Sequence, residues 1–483
     1  MKNISKNNNH SKKYKIHNKN SHNKKLHNKK LHKKTKKNIS QSQKHENTKI
    51  KLYKNHYGTK LLIMPNKVEN TTATIYFYFK VGSKNETEKI NGISHFIEHL
   101  IFKGSSKYPN YLDISKTFDS HGISFNAYTS KDTTAYHYKF LSTKQNLDII
   151  CKITSDMIFN PLMRETDINT ERNVIIQEYN DDVDNIDEYI LEKIETSLLE
   201  SHPLGLSISG TLKTINSINR KEIVDYHKQY YRKDNLLIGY NGRMYHDYLP
   251  LIEKYFGGVN SYNTIPLNTQ GISQIIPFID KYTQFKIDCF LKDLKQDYIH
   301  IIFKTKGYYD PMYIYFKLLV NILGGNMSSR LFVEIREKLG LVYSIKCETT
   351  NYEETGFFDI YTQNETKDTI KCIESILKEL IKIKENLISE IELKENKKNY
   401  CDIHITKFDN IEDEIEHYSR FILTNRPIET LDMRINSINN ITALNIKNVS
   451  RELFDFNKVH IITFGKATKT HIEKILQKYC KNT

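Results

Sequence analysis

Two spacings of apolar residues alternate along this chain. Stretches of period two, IYFYFKV at 75–81, TTAYHYKF at 133–140 and FFDIYTQ at 357–363, predict half-buried strands. Stretches of helical period cover 144–160, 165–200 and 368–400. Strands and helices in this mixture predict an α+β fold, with helices packed on a mostly antiparallel sheet.

The order of elements occurs twice. INSIN stands at 215–219 and again at 435–439. Each copy leads through a helical stretch into a strand-like run, NLLIGYNG or KVHIITFG, and then into another helix. Upstream, TATIYFYFKVG near 73 parallels YIHIIFKTKG near 298, and the turn glycine Gly122 pairs with Gly340. A near-constant offset with matching order predicts a duplication. The expected layout is a tail over 1–48, a domain over 49–265 and a homologous domain over 266–483, with a turn-rich linker within 258–293.

Charge changes this picture little. The first 50 residues hold sixteen lysines, no arginine and one acid, Glu46, which accounts for the whole formal charge of +15. The other 433 residues are balanced, so a basic folded surface for nucleic acid is not expected. The tail repeats HNKN, SHNKK and LHNKK, with His17, His22, His27 and His32 five apart, and holds almost nothing that could form a core. Its plain explanation is compositional drift in a Lys-, Asn- and Ile-rich chain. Nuclear targeting through KKTKK, weak RNA binding and metal capture are the functional alternatives. The chain has no secretory apolar region and no apolar run of about 18 residues, so no membrane span is expected. Six scattered cysteines without C-x-x-C predict buried free thiols in a reducing compartment, the cytoplasm first and mitochondria second.

The candidate chemistry lies in GISHFIEHLIFKG at 92–104. His95 and His99 are one helical turn apart, so both imidazoles can reach one ion, and Glu98 lies beside them. A carboxylate there can accept a proton from a water and pass it to a leaving amine. Phe96, Ile97, Leu100 and Ile101 cover the other sides of the helix. A third ligand is sought in NTERNVIIQEYNDD, where Glu171 and Glu178 are two turns apart on one face and Val174 to Ile176 would draw that face to a core. One carboxylate could complete the site and the other hold a ligand histidine by its free N–H.

GISHFIEHLIFKGSSKYPN, SHGISFNAYTSKDTTAYHYKFL, TERNVIIQEYNDD, SHPLGLSISGT and LGGNMSSRLFVEIREKLGLVYSI occur in this order. On them the chain resembles the pitrilysin/insulinase zinc peptidases over about residues 50 to 480. The similarity is greatest to the branch of the mitochondrial processing peptidases and their bacterial relatives. The resemblance implies a two-domain clamshell and one zinc per chain, bound by His95, His99 and Glu178. It makes Glu98 the general base and Glu171 a supporting carboxylate. It implies that Arg336 and Tyr343 stabilise the oxyanion, that Asn126 and Ala127 bind the substrate backbone, and that Glu188 and Glu192 read a basic residue near the cut. In the second half the place of the metal motif reads YFKLLVNILGG. Metal motif and Arg–Tyr pair in one chain imply a homodimer, with a heterodimer of related subunits as the alternative. GGN at 324–326 is not the long glycine-rich loop of the processing-peptidase partner subunit. The expected activity is zinc-dependent endopeptidase action on peptides or unfolded segments. The alternative is a catalytically silent scaffold of the same fold.

Overall fold

The computed structural model describes residues 50–65, 71–200, 202–243, 248–257, 262–265 and 284–480. The tail and the stretch after 265, where the sequence puts the domain junction, lie outside the described residues.

The first half runs β1 (Lys51–Asn55), β2 (Lys60–Pro65), β3 (Thr72–Phe79), α1 (Ile93–Ile101), α2 (Tyr111–Ser120), β4 (Ser124–Thr129) and β5 (Thr134–Leu141). It continues through α3 (Lys144–Phe159), α4 (Glu165–Asp184), α5 (Ile186–Leu198), α6 (Leu212–Ser217), α7 (Arg220–Tyr230), β6 (Leu236–Gly242), α8 (Tyr248–Phe256) and β7 (Tyr262–Ile265). The second half runs β8 (Lys286–Leu291), β9 (Asp297–Thr305), α9 (Tyr313–Gly324), a π-helical segment (Phe332–Lys338), β10 (Ile345–Asn351) and β11 (Gly356–Asn364). It ends with α10 (Thr369–Glu385), α11 (Glu390–Lys407), α12 (Ile411–Leu423), α13 (Leu431–Asn439), α14 (Ala443–Leu453), β12 (His460–Gly465) and α15 (Lys469–Cys480).

The duplication is plain in the sheets. The first has the order β4-β5-β3-β6-β2-β1-β7, and the second repeats its first five places as β10-β11-β9-β12-β8. Each is antiparallel except for one pair, β2 with β6 and β8 with β12, which is parallel. Gly122 and Gly340 share a φ of 61°, a left-handed turn that favours glycine in both copies. Two expected long helices are each broken in two. Asn185 ends α4 and caps α5 by accepting from Asp187 N, and Ser389 caps α11 after an interruption at 386–389.

The strands of the core are more buried than their alternation suggests. On β3, Ile75, Phe77 and Phe79 face the first half's own core, while Tyr76 and Tyr78 are buried on the opposite face. That opposite face is covered by α12, from the second half, through Ile415, Tyr418, Phe421 and Ile422. The second sheet is covered reciprocally. Ile190, Ile194 and Leu198 of α5 pack on Ile302, Phe357, Ile462 and Phe464. Each half thus lends a helix to the other's sheet, and Lys80 and Lys84 reach across to Glu353 at 2.9 and 3.0 Å. The fit beneath α12 is close: a Cβ on Gly239 of β6 would stand 2.9 Å from Ile415 Cγ1. Ile415→Ala should therefore lower stability by about 2–4 kcal/mol, the usual result of a large-to-small change in a tight core, read by urea denaturation. An effect under about 1 kcal/mol would mean that α12 packs loosely there.

Of the six cysteines, four are buried and two half-buried, and none is joined in a disulfide. Among the described residues no helix is long and apolar enough to cross a membrane.

Candidate metal centre

Helix α1 is positioned from its first turn. Its N-cap, Gly92, has a φ of 94° and lies so close to Gly210 that a Cβ would meet Ser209 O at 2.8 Å. The motifs GISHFIEH and SHPLGLSISG thus touch, and Asn91 Nδ2 donates to Ser207 O at 2.7 Å. Glu86 closes the helix end: its carboxylate accepts from Gly92 N at 2.7 Å and from Ser94 N at 2.8 Å, a favoured place for an anion. Ile93, Phe96, Ile97, Leu100 and Ile101 are fully buried, leaving a stripe of His95, Glu98 and His99 toward α4 and β4.

On α4 the buried positions are Ile168, Glu171 and Ile175, one continuous face. Val174, which the sequence suggested would turn inward, is 40% exposed; the stripe runs one position later. Arg172 holds α4 to the INSIN segment by donating to Ile215 O and, at 2.7 Å, to Ile218 O. This face brings both glutamates to the histidines. Nε2 of His95 and Nε2 of His99 are 3.1 Å apart, and Glu178 Oε2 lies 3.7 Å from the first and 3.3 Å from the second. Glu171 Oε2 takes the other ring nitrogen of His99, Nδ1, at 3.1 Å, while Lys103 Nζ holds Glu171 Oε1 at 2.6 Å. Among the described residues, His95, His99 and Glu178 are the one group of three such side chains whose ligand atoms converge, all within 4.8 Å.

The donor set suits a cation. Burial, with the neighbouring His99, pushes the His95 imidazole down to about 4, so the ring stays neutral and one nitrogen keeps its lone pair. Burial would lower His99 too, but Glu171 and Glu178 overcome it and raise that ring to about 9. The carboxylates thus create a field that stabilises positive charge where the two Nε2 atoms meet. Glu171 fixes one proton of His99 on Nδ1, so the proton that a binding cation would displace is the one on Nε2, the usual support of a metal-binding histidine. Two imidazoles and a carboxylate with a place left over match the ligand number of a catalytic zinc site.

Glu98 sits next to the cluster without joining it. Its Oε2 accepts from Thr129 Oγ1, at the end of β4, at 2.6 Å. Burial raises its carboxyl above the ordinary range, opposed by the Thr129 hydroxyl, which suits a group that must accept a proton near neutrality.

Two models of one peptidase family cover most of this fold. The insulinase (peptidase family M16) model matches residues 61–212, and the M16 inactive-domain model matches residues 217–400. An uncharacterized zinc protease of Rickettsia felis is 31% identical over 78% of this chain and 88% of its own length. The chain belongs to the insulinase (M16) family. The beta subunit of the Bos taurus mitochondrial processing peptidase is 28% identical over 76% of this chain and 75% of its own. A protease from Helicobacter pylori has the same fold, with a TM-score of 0.77, 19% identity, and coverage of 86% of this chain and 99% of that one.

Other residues singled out in this M16 sequence lie around or away from the cluster. Asn126 and Ala127 are on β4, the outermost strand of the first sheet. Asn126 Oδ1 accepts from Ala127 N at 2.9 Å, so this N–H points away from β5. Glu188 and Glu192 are on α5, and their charge, with that of Glu178, helps burial to raise the Asp182 carboxyl. Arg336 lies in the π-helical segment, with its guanidinium 5.5 Å from the Tyr343 ring; Tyr343 is 77% exposed. The structure brings Arg336 and Tyr343 to each other, and their contacts, with Phe332 and Glu337, do not reach the His–Glu cluster.

Glu86, Lys103 and Thr129 were not picked out from the sequence. Lys103 follows His99 at i+4, a spacing that could have found it. Thr129 closes the strand SFNAYT, and only the folded sheet carries it to Glu98.

Proposed function

We propose that this protein is a zinc-dependent endopeptidase that cleaves peptides and unstructured protein segments beside basic residues. The observation that carries this reading is the convergence of His95, His99 and Glu178 next to a half-buried Glu98 with one oxygen held by Thr129. His95, His99 and Glu178 would hold the zinc, with Glu171 and Lys103 behind His99. Bound there, zinc supplies Lewis acidity for activating water and polarising the scissile carbonyl. Glu98 takes the proton from the attacking water at its free oxygen while Thr129 holds the other, then delivers it to the leaving amine. The edge of β4 receives the substrate as an added strand, whose main chain displaces the Asn126 side chain from Ala127 N. Arg336 and Tyr343 supply donors to the oxyanion from a second copy of the chain, across a two-fold dimer.

The carboxylates of α5 read the basic residue. Glu188 and Glu192 stand one turn apart and continue the negative charge from Glu178 through Asp182. Two such groups can take a guanidinium by paired hydrogen bonds. Digestion of a peptide library, with and without a zinc chelator and followed by mass spectrometry, should give chelator-sensitive cuts enriched near Arg and Lys. Glu188→Gln with Glu192→Gln should raise KM for an arginine peptide roughly tenfold, with kcat little changed. Cleavage that ignores both chelator and arginine would reject the reading.

A further inference from the structure

The second half keeps the helix pair on which the first half builds its cluster. Helix α9 follows the central strand β9 as α1 follows β3, and α9 packs on α11 as α1 packs on α4. Asn321 Nδ2 on α9 donates to Asn396 Oδ1 on α11 at 3.0 Å, across the helix pair equivalent to that joining His99 to Glu171. Lys317, one turn before Asn321, takes the place that His95 holds one turn before His99. Here, however, the helices border an open cavity of about 390 Å³ whose charge is reversed.

Cations from separate helices line it: Lys317 on α9, Lys407 on α11, Arg420 on α12 and Arg434 on α13. Arg434 is paired with Glu429 at 2.6 Å. Lys317 Nζ donates to Thr349 Oγ1 at 2.7 Å, and no carboxylate among the described residues makes an ion pair with Lys317 or Arg420. Two acids, Asp413 and Glu416, share the lining: Asp413 is exposed, as is Arg420, and the half-buried Glu416 is held by the charge of Arg420 and by the Tyr76 hydroxyl. The Tyr400 hydroxyl is buried without a hydrogen-bond partner, in a residue 6% exposed. A buried orphan hydroxyl in a cavity whose lining carries four cations against two acids is a donor lacking an acceptor in a positive field.

We propose that this cavity, between α9, α11, α12 and α13, binds a small oxyanion of the phosphate class, with the Lys317 ammonium, the Arg420 guanidinium and the Tyr400 hydroxyl as donors. Donors arriving from three helices suit a tetrahedral acceptor better than a planar carboxylate. Two histidines sharpen the choice. His404 Nδ1 bonds Tyr400 O at 3.0 Å and His417 Nε2 bonds Glu429 O at 2.9 Å. Each neutral ring therefore has its other nitrogen as a lone pair. A phosphate that keeps a proton can donate to such a nitrogen, and sulfate cannot. The local field agrees with this assignment. Burial raises the Tyr313 hydroxyl, yet Lys317, Arg434, Arg420 and Arg426 together bring it below its ordinary value.

The test uses the full chain, freed of metal, in a chloride-balanced buffer. Inorganic phosphate is titrated by calorimetry and by thermal melting, with sulfate and acetate alongside. Phosphate should bind saturably, raise Tm, and outcompete sulfate and acetate. His95→Ala should bind as well as the unmodified chain, which separates this cavity from the metal cluster. Lys317→Met should weaken binding roughly tenfold or more, and Tyr400→Phe, which removes one oxygen, several-fold. No saturable binding, an equal response to all three anions, a response lost in His95→Ala, or one unchanged in both Lys317→Met and Tyr400→Phe would each overturn the proposal.

Discussion

Glu98→Gln should leave zinc content unchanged and cut peptide hydrolysis by about two to four orders of magnitude, the range attributed to a positioned general base. The substitution keeps the size of the side chain, and an amide oxygen can still accept from Thr129 Oγ1, so the fold of the site is preserved. What it removes is the proton acceptor. His95→Ala should differ in kind. It takes away one of the converging atoms and leaves Glu178 and His99 with a two-atom site, so zinc should be lost along with activity. Metal analysis after dialysis, beside rates on an unstructured basic peptide, separates the two. A Glu98→Gln variant that cleaved at the normal rate would remove Glu98 from the mechanism, whatever its metal content.

How far the sequence anticipates this site depends on whether a contact is local. Helix α1 is legible because its polar stripe and its apolar sides follow from one spacing, i, i+3 and i+4. The two glutamates of α4 are legible for the same reason, though which one meets the histidines from which side is set by the packing of two helices distant in sequence. The duplication is legible because INSIN and the glycines at 122 and 340 mark equivalent turns. Helix exchange is not. The apolar faces of α5 and α12 announce burial, but nothing in their spacing says that each belongs to the other half's sheet. That is why β3 looked half-buried: Tyr76 and Tyr78 occupy the supposed polar face, and the helix that covers them comes more than 300 residues later. The reversed charge of the second cavity is hidden for a related reason. In YFKLLVNILGG only Lys317 is visible, and its companions come from three other helices.

Helix exchange also bears on assembly. Because each sheet is completed by the other half, the two halves of one chain form a single folded unit, with the half-buried Arg336 and the exposed Tyr343 at its surface. Arg336→Ala should lower kcat by about 10²–10³, the usual effect of losing an oxyanion donor, with zinc retained. Now let chains carrying Glu98→Gln and chains carrying Arg336→Ala be co-expressed with different tags and the mixed dimers purified. A shared site of two-fold symmetry needs Glu98 from one chain and Arg336 from the other. In a mixed dimer one of the two sites then has both, so it should regain about half the activity of the unmodified dimer, and an unsorted mixture about a quarter. If the pair acted on the zinc site of its own chain, every site in the mixture would lack one partner and no activity would return. If Arg336→Ala were fully active alone, the pair would have no part in the reaction, and the dimer would lose its catalytic reason.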